Sequence, residues 1–316
     1  MWEQVVSLLG SPLMQRALVA AVLVGAAAPV VGTFLVQRRQ ALMGDGIGHV
    51  ALTGVAVGWL VGSWAAVAPA GALAVPGAVV AAVVGAVVIE LVRERGRTSG
   101  DLALAIMFYG GIAGGVLLIK LAGGTNANLM SYLFGSISTV SVSDLWWTAG
   151  LAVLVLVVGV GLRSALFAAS DDEEFARASG LPVRLLSMVV ATLAALTVTI
   201  AMRVVGLLLV SALMIVPVAV AQLLARSFGR TMALASALGV TVSAVGLVLT
   251  YWNDVPPGAT IVVLAIGVYA VTAVVHPLVV RRRATGDPHP DVHDDVLIDV
   301  PADDCAPQPV DPGPRT

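Results

Sequence analysis

An aspartate and a histidine stand four residues apart at the start of a long apolar run, MGDGIGHVALTG at residues 43–54. In a helix, residues at i and i+4 project from the same face, so Asp45, His49 and Thr53 form one stripe. A carboxylate oxygen and an imidazole nitrogen together suit zinc, manganese or iron better than magnesium or calcium. Ionisable groups inside a membrane usually mark an ion or substrate path, so the pair is a candidate transport site. Spacing alone equally allows Asp45 to cap the helix and His49 to hydrogen-bond a neighbour.

Membrane-spanning helices are the elements that must position this pair. The 316-residue chain is 59% hydrophobic and only 11% charged, with a mean hydropathy of +0.98, whereas soluble domains average about 25% charged residues. Apolar runs of about 20 residues recur along it, the length that crosses roughly 30 Å of hydrocarbon. The sequence therefore predicts an all-α polytopic membrane protein with about nine spans, near residues 14–36, 47–67, 69–91, 101–121, 144–162, 184–201, 206–225, 231–250 and 258–280.

Basic residues set the predicted orientation of these spans. With the N-terminus outside, thirteen Arg residues fall at cytoplasmic connections and three basic residues fall on the outer side. Connections rich in Lys and Arg stay in the cytoplasm, so we expect an N-out and C-in topology. Segment 122–143 is too polar to span, and we expect a short helix or a re-entrant piece there. Glu90 and Asp101 flank a basic inner turn, where we expect them to reach water and arginine.

Residues 284–316 differ in composition from residues 1–283, which we interpret as the transmembrane domain. They contain eight Asp, seven Pro and one Arg, for a net charge of −7, while residues 1–283 carry +5. Such a stretch cannot bury enough apolar surface to offset its ordering entropy. We therefore expect a disordered, acidic cytosolic tail.

Absent motifs limit the function classes. The chain contains no G-K-[ST] phosphate loop, so it does not bind ATP through that device. H-E-x-x-H and G-x-S-x-G are missing as well, which argues against an intramembrane protease or lipase. The single cysteine, Cys305, excludes an intrachain disulfide and a Cys-rich metal cluster. We expect a transport component that has no intrinsic cofactor, is not an enzyme and binds no nucleic acid.

A second group of residues points away from the membrane. In DDEEFARASGLPVRLL, residues 171–186, Glu174 and Ala176 precede Gly180, and Pro182 follows two residues later. A short helix that is stopped by Gly and redirected by Pro gives a compact knob. The alternative is an ordinary solvated connection, in which acidic residues favour a helix start through the helix dipole.

The apolar run that begins with Asp45 also carries a family resemblance. GDGIGHVALTGVAVGWLVG resembles the second-span motif of the permease subunits of ATP-binding-cassette importers for zinc and manganese, in which Gly-Asp-x-x-Ser-His precedes Leu-Pro-Gly. Gly48 stands where the family usually has Ser, and Thr53 where it has Pro. The resemblance covers residues from about 15 to 280 in order, continuing through RTSGDLALAIMFYGGIAGGVLLI, NLMSYLFGSISTVSVSDL, DDEEFARASGLPVRLL, RVVGLLLVSALMIVPVAVAQLLA and YWNDVPPGATIVV.

This resemblance implies a multi-pass protein of the bacterial cytoplasmic membrane, surrounded by lipid, with a fold related to cobalamin and siderophore permeases. It implies two copies of the chain, a cytosolic ATPase dimer and an extracytoplasmic metal-binding protein, with ATP used only by the ATPase. The cargo would be zinc or manganese, with iron a further candidate. Asp45 and His49 match the residues that line the metal path at the dimer interface, and Thr53 is an additional candidate ligand. The loop that holds Glu174, Ala176, Gly180 and Pro182 matches the coupling helix that docks in a groove of the ATPase.

Two other transport functions and one other class stay open at this point. A cobalamin or siderophore importer would need a wider path with a less acidic constriction. An ion-driven secondary carrier would use Asp45 and His49 as a proton or ion relay, but such carriers often show inverted repeats, and we see none in the sequence. An integral scaffold or enzyme is the alternative outside transport.

Overall fold

The computed structural model describes residues 10–67, 71–95, 100–123, 125–135, 141–202, 206–252 and 255–284. These residues form twelve helices and no strand. The helices are α1 Pro12–Gln37, α2 Met43–Trp64, α3 Ala74–Glu94, α4 Gly100–Leu121, α5 Asn126–Phe134, α6 Val142–Gly161, α7 Arg163–Asp171, α8 Glu173–Ala178, α9 Val183–Ala201, α10 Leu207–Leu224, α11 Phe228–Trp252 and α12 Pro257–Ala284.

Within the described ranges, eight helices are long and apolar enough to cross a membrane, namely α1 to α4, α6, α9, α11 and α12. The remaining predicted span corresponds to α10, whose apolar stretch, Val210–Leu224, is shorter. Each predicted span coincides with one helix, with ends that differ by at most five residues. The largest difference is at α3, which begins at Ala74 and so places Pro76 in its first turn, where a missing N–H is tolerated. The all-α polytopic fold is confirmed, while the crossing count of nine and the N-out orientation stay predictions.

The chain divides after His276 into two compact units, Met1–His276 and Pro277–Thr316. The described residues of the second unit are the last turns of α12, which ends at Ala284. The rest of the predicted tail, residues 285–316, lies outside the described residues. The proposed boundary between a transmembrane domain and a disordered tail therefore stays a prediction.

The polar segment 122–143 contains the short helix that the sequence predicts. This helix, α5, packs into the bundle rather than beside it. The ring of Tyr132 meets Trp59 of α2 edge-on, with ring centroids 6.0 Å apart. A Cβ added to Gly206, just before α10, would come within 2.5 Å of the Leu133 carbonyl oxygen. The end of α5 therefore meets the start of α10 backbone to backbone.

Glycines allow α2 to sit at the centre of the bundle, in contact with α3, α4, α9 and α10. An added Cβ on Gly54 of α2 or on Gly77 of α3 would overlap the backbone of the other. Gly111 of α4 lies against α2 in the same way, since its added Cβ would meet the His49 carbonyl carbon at 2.5 Å. Small residues permit this close approach of helices in membranes. The position of α2, which carries the candidate metal ligands, is therefore fixed by backbone contact.

Candidate functional site

Asp45 and His49 lie well inside the bundle, away from the end where α7 and α8 lie. Arg38, just before α2, donates a hydrogen bond from Nη2 to Ser187 Oγ near the start of α9. Val198 lies further along α9, and a Cβ added to Gly48 of α2 would lie 3.4 Å from its side chain. Ser187 and Val198 are eleven residues apart on α9, which corresponds to about 16 Å of rise. Gly48, in the second turn of α2, therefore lies about 16 Å further along α9 than the bond made by Arg38.

The imidazole of His49 is buried and has an unused nitrogen. Its side chain is 3% exposed, and its ring meets Phe108 of α4 edge-on, with centroids 4.4 Å apart. In the described part of the chain, Nδ1 finds no hydrogen-bond partner. An unsatisfied buried nitrogen is costly, and a neutral imidazole nitrogen is a common metal ligand. This nitrogen is therefore free to accept a ligand.

The carboxylate of Asp45 lines a cavity one helical turn away. The cavity has a volume of about 310 Å³, and its other walls include Leu42, Gly46, Leu104, Phe108 and Tyr109. Phe108 is thus in contact with both the cavity and the His49 ring. No hydrogen bond from the Asp45 side chain caps α2, whose N-cap residue is Leu42. Among the described residues, Asp45 therefore makes no capping bond and His49 Nδ1 bonds no neighbour.

Thr53, the third predicted ligand, bonds across to the neighbouring helix. Its hydroxyl donates to the Gly111 carbonyl oxygen at 2.9 Å, which joins α2 to α4 one helical turn after His49. Over the described ranges, no three His, Cys, Asp or Glu side chains come close enough to hold a metal together. The ligand roles of Asp45, His49 and Thr53 therefore stay predictions.

The second predicted site is a short helix with well-formed ends. The Asp172 carboxylate accepts the backbone N–H groups of Glu174 and Phe175, both at 2.9 Å, and so caps α8. At the other end Gly180 has φ +80°, and the Leu181 N–H donates to the Ala176 carbonyl at 3.0 Å. A left-handed Gly with this hydrogen bond is a standard helix stop. The predicted sequence of helix, Gly stop and Pro182 turn is confirmed.

The side chains of α8 divide into an inner and an outer set. Ala176 is fully buried and faces the bundle, whereas Glu174, Gly180 and Pro182 are exposed. Phe175 is 68% exposed, a large aromatic side chain on an otherwise polar knob. The sequence analysis did not single out Phe175, although an aromatic residue between two acidic residues and an arginine was a visible signal. A docking surface on α8 would thus be built around Phe175 rather than Ala176.

Charged side chains hold α8 and its neighbours at this end of the bundle. Arg93, in the last turn of α3, bonds through Nη2 to Glu173 Oε1 at 2.9 Å and lies 3.6 Å through Nη1 from Glu90 Oε2. Glu90 is only 2% exposed, so the expectation that it reaches water is wrong, because the packing of α3 covers it. Arg184 of α9 bonds to Glu94 at 2.8 Å. The Asp101 side chain lies outside the described residues.

Arg38 forms a second anchor in the same region. It donates to Ser170 Oγ at 3.2 Å and to the Ala169 carbonyl at 3.4 Å, in addition to Ser187. Burial lowers the pKa of the Arg38 guanidinium, and the Glu90 carboxylate opposes that shift. The ends of α1 and α7 and the start of α9 are thereby joined through one side chain. This anchor fixes the point from which the chain enters α2.

The comparisons with known proteins agree with this architecture. Residues 11–276 match the family model described as the ABC 3 transport family. The chain belongs to this family. It is 34% identical over 264 residues to the manganese transport system membrane protein MntC of Halalkalibacterium halodurans, covering 84% of this chain and 87% of MntC. It is 30% identical over 277 residues to the chelated iron transport system membrane protein YfeD of Yersinia pestis, covering 86% of this chain and 90% of YfeD.

A solved structure has the same fold. PsaBC from Streptococcus pneumoniae, determined in complex with Fab, matches with a TM-score of 0.75 and 31% identity, over 85% of this chain and 94% of that chain. The predicted family is therefore confirmed. The protein is the permease subunit of an ATP-binding-cassette metal importer, a multi-pass protein of the bacterial plasma membrane and a transport component rather than an enzyme.

Proposed function

We propose that this permease imports manganese and that Asp45 and His49 are its transport ligands, with ATP hydrolysis in a separate subunit coupled through α8. One observation above all carries the proposal: the buried Nδ1 of His49, which has no hydrogen-bond partner among the described residues, lies one helical turn from Asp45. The name of MntC points to manganese, and that of YfeD points to iron as the competing cargo. Oxygen and nitrogen ligands together suit either of these metals, and zinc as well.

The path lies between two copies of the chain in this proposal. Manganese takes more ligands than one carboxylate and one imidazole, and a two-fold axis beside α2 would double the ligand set. Support comes from the exposed side of α4, where Tyr109 is 69% exposed and also lines the Asp45 cavity. Leu102, Ile106 and Leu117 are exposed on the same helix. A second copy packed on this face would close the cavity that Asp45 lines.

Transport also requires a conformational change at Phe108. Its ring contacts His49 and forms part of the cavity wall at Asp45, so a single ion bound by both ligands needs this ring to turn aside. The ligands must replace the ion's hydration well enough to bind it and weakly enough to release it. Two strong ligands per chain suit transient binding better than a closed structural site.

The partners of the permease complete the proposal. A cytosolic ATPase dimer docks on α8, with the exposed Phe175 inserted in its groove, because a buried aromatic anchor is the usual energetic centre of such an interface. An extracytoplasmic metal-binding protein delivers the ion. The permease itself holds no cofactor, and ATP acts only through the ATPase. Binding and hydrolysis of ATP then switch the helices between outward and inward packings.

Metal uptake in vesicles tests the proposal. The permease is reconstituted with its ATPase and binding protein, and uptake of radiolabelled manganese, iron and zinc is measured at limiting metal. Manganese is expected to be taken up fastest, and Asp45→Ala and His49→Ala are each expected to abolish uptake. Ser63→Ala is the matched control, because Ser63 is exposed at the far end of the same helix and bonds only to the Leu60 carbonyl among the described contacts. Unchanged uptake by both ligand variants would remove the assignment, and preferred iron uptake would change the cargo.

A further inference from the structure

Arg93 is shared between two carboxylates that belong to different helices. One is Glu173, the first residue of α8, whose Oε1 accepts a hydrogen bond from Nη2 at 2.9 Å. The other is Glu90 on the same helix as Arg93, whose Oε2 lies 3.6 Å from Nη1. The first contact is a full charge-assisted hydrogen bond, and the second is too long to be one. The guanidinium therefore ties α3 to α8 while it leaves Glu90 under-bonded.

The contact with Glu90 is incomplete on both sides. Neither Glu90 Oε2 nor Arg93 Nη1 finds a hydrogen-bond partner among the described residues, although both atoms are buried. A buried carboxylate oxygen that lacks a hydrogen bond is unfavourable, so a closer approach of Arg93 to Glu90 Oε2 would be favourable. A cavity of about 600 Å³ adjoins all three side chains and gives the guanidinium room to move. Arg93 thus has two alternative partners of similar chemistry, as a two-state element requires.

Displacement of α3 is passed on to α2 because the two helices are in backbone contact. The Gly54 and Gly77 pair leaves no space for a side chain between them. Nearer to the ligands, a Cβ added to Gly85 of α3 would meet Val50 Cγ1 at 2.9 Å, and Val50 directly follows His49. Close-packed interiors transmit such shifts rather than absorb them. A continuous packed route therefore joins α8, Arg93, α3 and the helix that carries Asp45 and His49.

We propose that Arg93 is the positioning residue that links α8 to the metal-ligand helix. Its bond to Glu173 holds α3 in place while α8 is seated as in this structure; when the ATPase draws α8 away, the guanidinium moves to Glu90 and α3 is released. The proposal rests on the proposed function, because it takes α8 as the contact with the ATPase. If Arg93 is only a structural contact, its removal destabilises the permease and leaves the coupling between ATP hydrolysis and transport unchanged.

The chain offers a matched control for this side chain. Arg184 of α9 bonds to Glu94, the residue after Arg93, at 2.8 Å. This pair joins α3 to α9 at the same end of the bundle and involves no residue of α8. Arg184 is 66% exposed, so the loss of its charge has little effect on stability. Arg184→Ala removes a bond of the same kind and length without touching the proposed link.

The experiment compares manganese uptake and ATP hydrolysis in the same vesicles, using the complete transporter. For Arg93→Ala we expect the metal transported per ATP hydrolysed to fall about tenfold, a typical coupling effect between two sites. ATP hydrolysis itself is expected to stay within about twofold, because the ATPase still docks on Phe175. Arg184→Ala is expected to leave both rates unchanged. The conservative variant Arg93→Lys, whose cation can reach either carboxylate, is expected to retain most of the coupling, and Glu90→Gln is expected to lower it.

Four outcomes would overturn the inference. Uptake and hydrolysis that fall together in Arg93→Ala indicate a structural contact, and so does an equal effect of Arg184→Ala. Coupling that is unchanged in Arg93→Ala removes the link directly. If Arg93→Ala does not assemble, Glu90→Gln decides, because it keeps the bond to Glu173 and removes only the alternative partner, and unchanged coupling in that variant rejects the proposal. Asp45→Ala is measured in parallel: if it abolishes uptake while Arg93→Ala has no effect, the proposed function stands and only this inference fails.

Discussion

Around His49, helix α2 meets its neighbours backbone to backbone, whereas α8 is attached to the bundle by side-chain charges. At His49 an added methyl group on Gly111 would overlap the α2 backbone. At α8 the polar attachment is the 2.9 Å bond between Arg93 and Glu173, and at the adjoining end of α7 Gln37 donates to Asp171 at 2.6 Å. Backbone packing is rigid and insensitive to salt, while exposed ion pairs are weak and easily exchanged. The contrast fits a ligand helix that must be placed accurately and a docking helix that must move.

The largest effect is expected where the packing is tightest. Gly111→Ala puts a methyl carbon 2.5 Å from the His49 carbonyl carbon, so α4 must move away from α2. We expect a loss of about 1–3 kcal/mol of stability, as for other overpacked sites, together with weaker manganese binding. Thermal unfolding of the purified permease and metal titration measure the two effects.

Gly110→Ala is the control for this substitution, because an added Cβ at the neighbouring Gly110 meets nothing within 4 Å. Replacing this exposed helical glycine is expected to leave stability unchanged or to raise it by up to about 1 kcal/mol. Equal behaviour of the two glycine variants would contradict the view that backbone contact fixes α2.

The docking surface is expected to give the next largest effect. Phe175→Ala removes an exposed aromatic side chain from α8, so the affinity for the ATPase is expected to fall by about 2 kcal/mol, as for an interface anchor, with no loss of permease stability. Binding of the purified ATPase to the permease in detergent measures the change. Leu185→Ala, at another exposed apolar residue near the start of α9, serves as the control. Similar affinity losses in both variants would show that α8 is not the specific contact.

Thr53 gives a smaller effect that separates its two possible roles. Thr53→Val removes the hydrogen bond to the Gly111 carbonyl but keeps the shape of the side chain. If the hydroxyl only joins the helices, stability falls by about 0.6 kcal/mol, the average for bonds between membrane helices, and manganese uptake changes little. A loss of uptake as large as that in Asp45→Ala would instead make Thr53 a ligand.

The smallest effect is expected at the exposed ion pairs of the α8 end. Arg184→Ala should change stability by less than about 1 kcal/mol, because Arg184 is largely exposed and its pair with Glu94 is screened by salt. Unfolding at low and high salt measures this contribution. A large, salt-independent loss would show that this end of the bundle is as rigid as the helix packing at His49.

The sequence predicts those features of the molecule that depend on local pattern. Apolar length locates the spanning helices, and the positions of Gly180 and Pro182 predict where α8 ends. The spacing of Asp45 and His49 predicts a shared helix face, because four residues nearly complete one turn. These features can be predicted without knowing which helices contact one another.

Features that depend on contacts between distant residues could not be predicted. The bond from Thr53 to Gly111 joins residues 58 positions apart, and Phe108 reaches His49 only because α4 crosses α2 there. The polar neighbours of Glu90 suggested that it reaches water, but the packing of α3 buries it. Ala176 and Phe175 are adjacent in sequence, but Ala176 is buried and Phe175 is exposed. The attachment of α8 to the bundle decides which of the two is covered, and the sequence alone does not show it.

Pulsed electron paramagnetic resonance of manganese bound to the purified permease tests most directly the proposal that Asp45 and His49 hold the metal. We expect a manganese ion coupled to imidazole nitrogen, a coupling that disappears in His49→Ala, and bound manganese that is lost in Asp45→Ala. Binding that persists in both variants with an unchanged spectrum would contradict it.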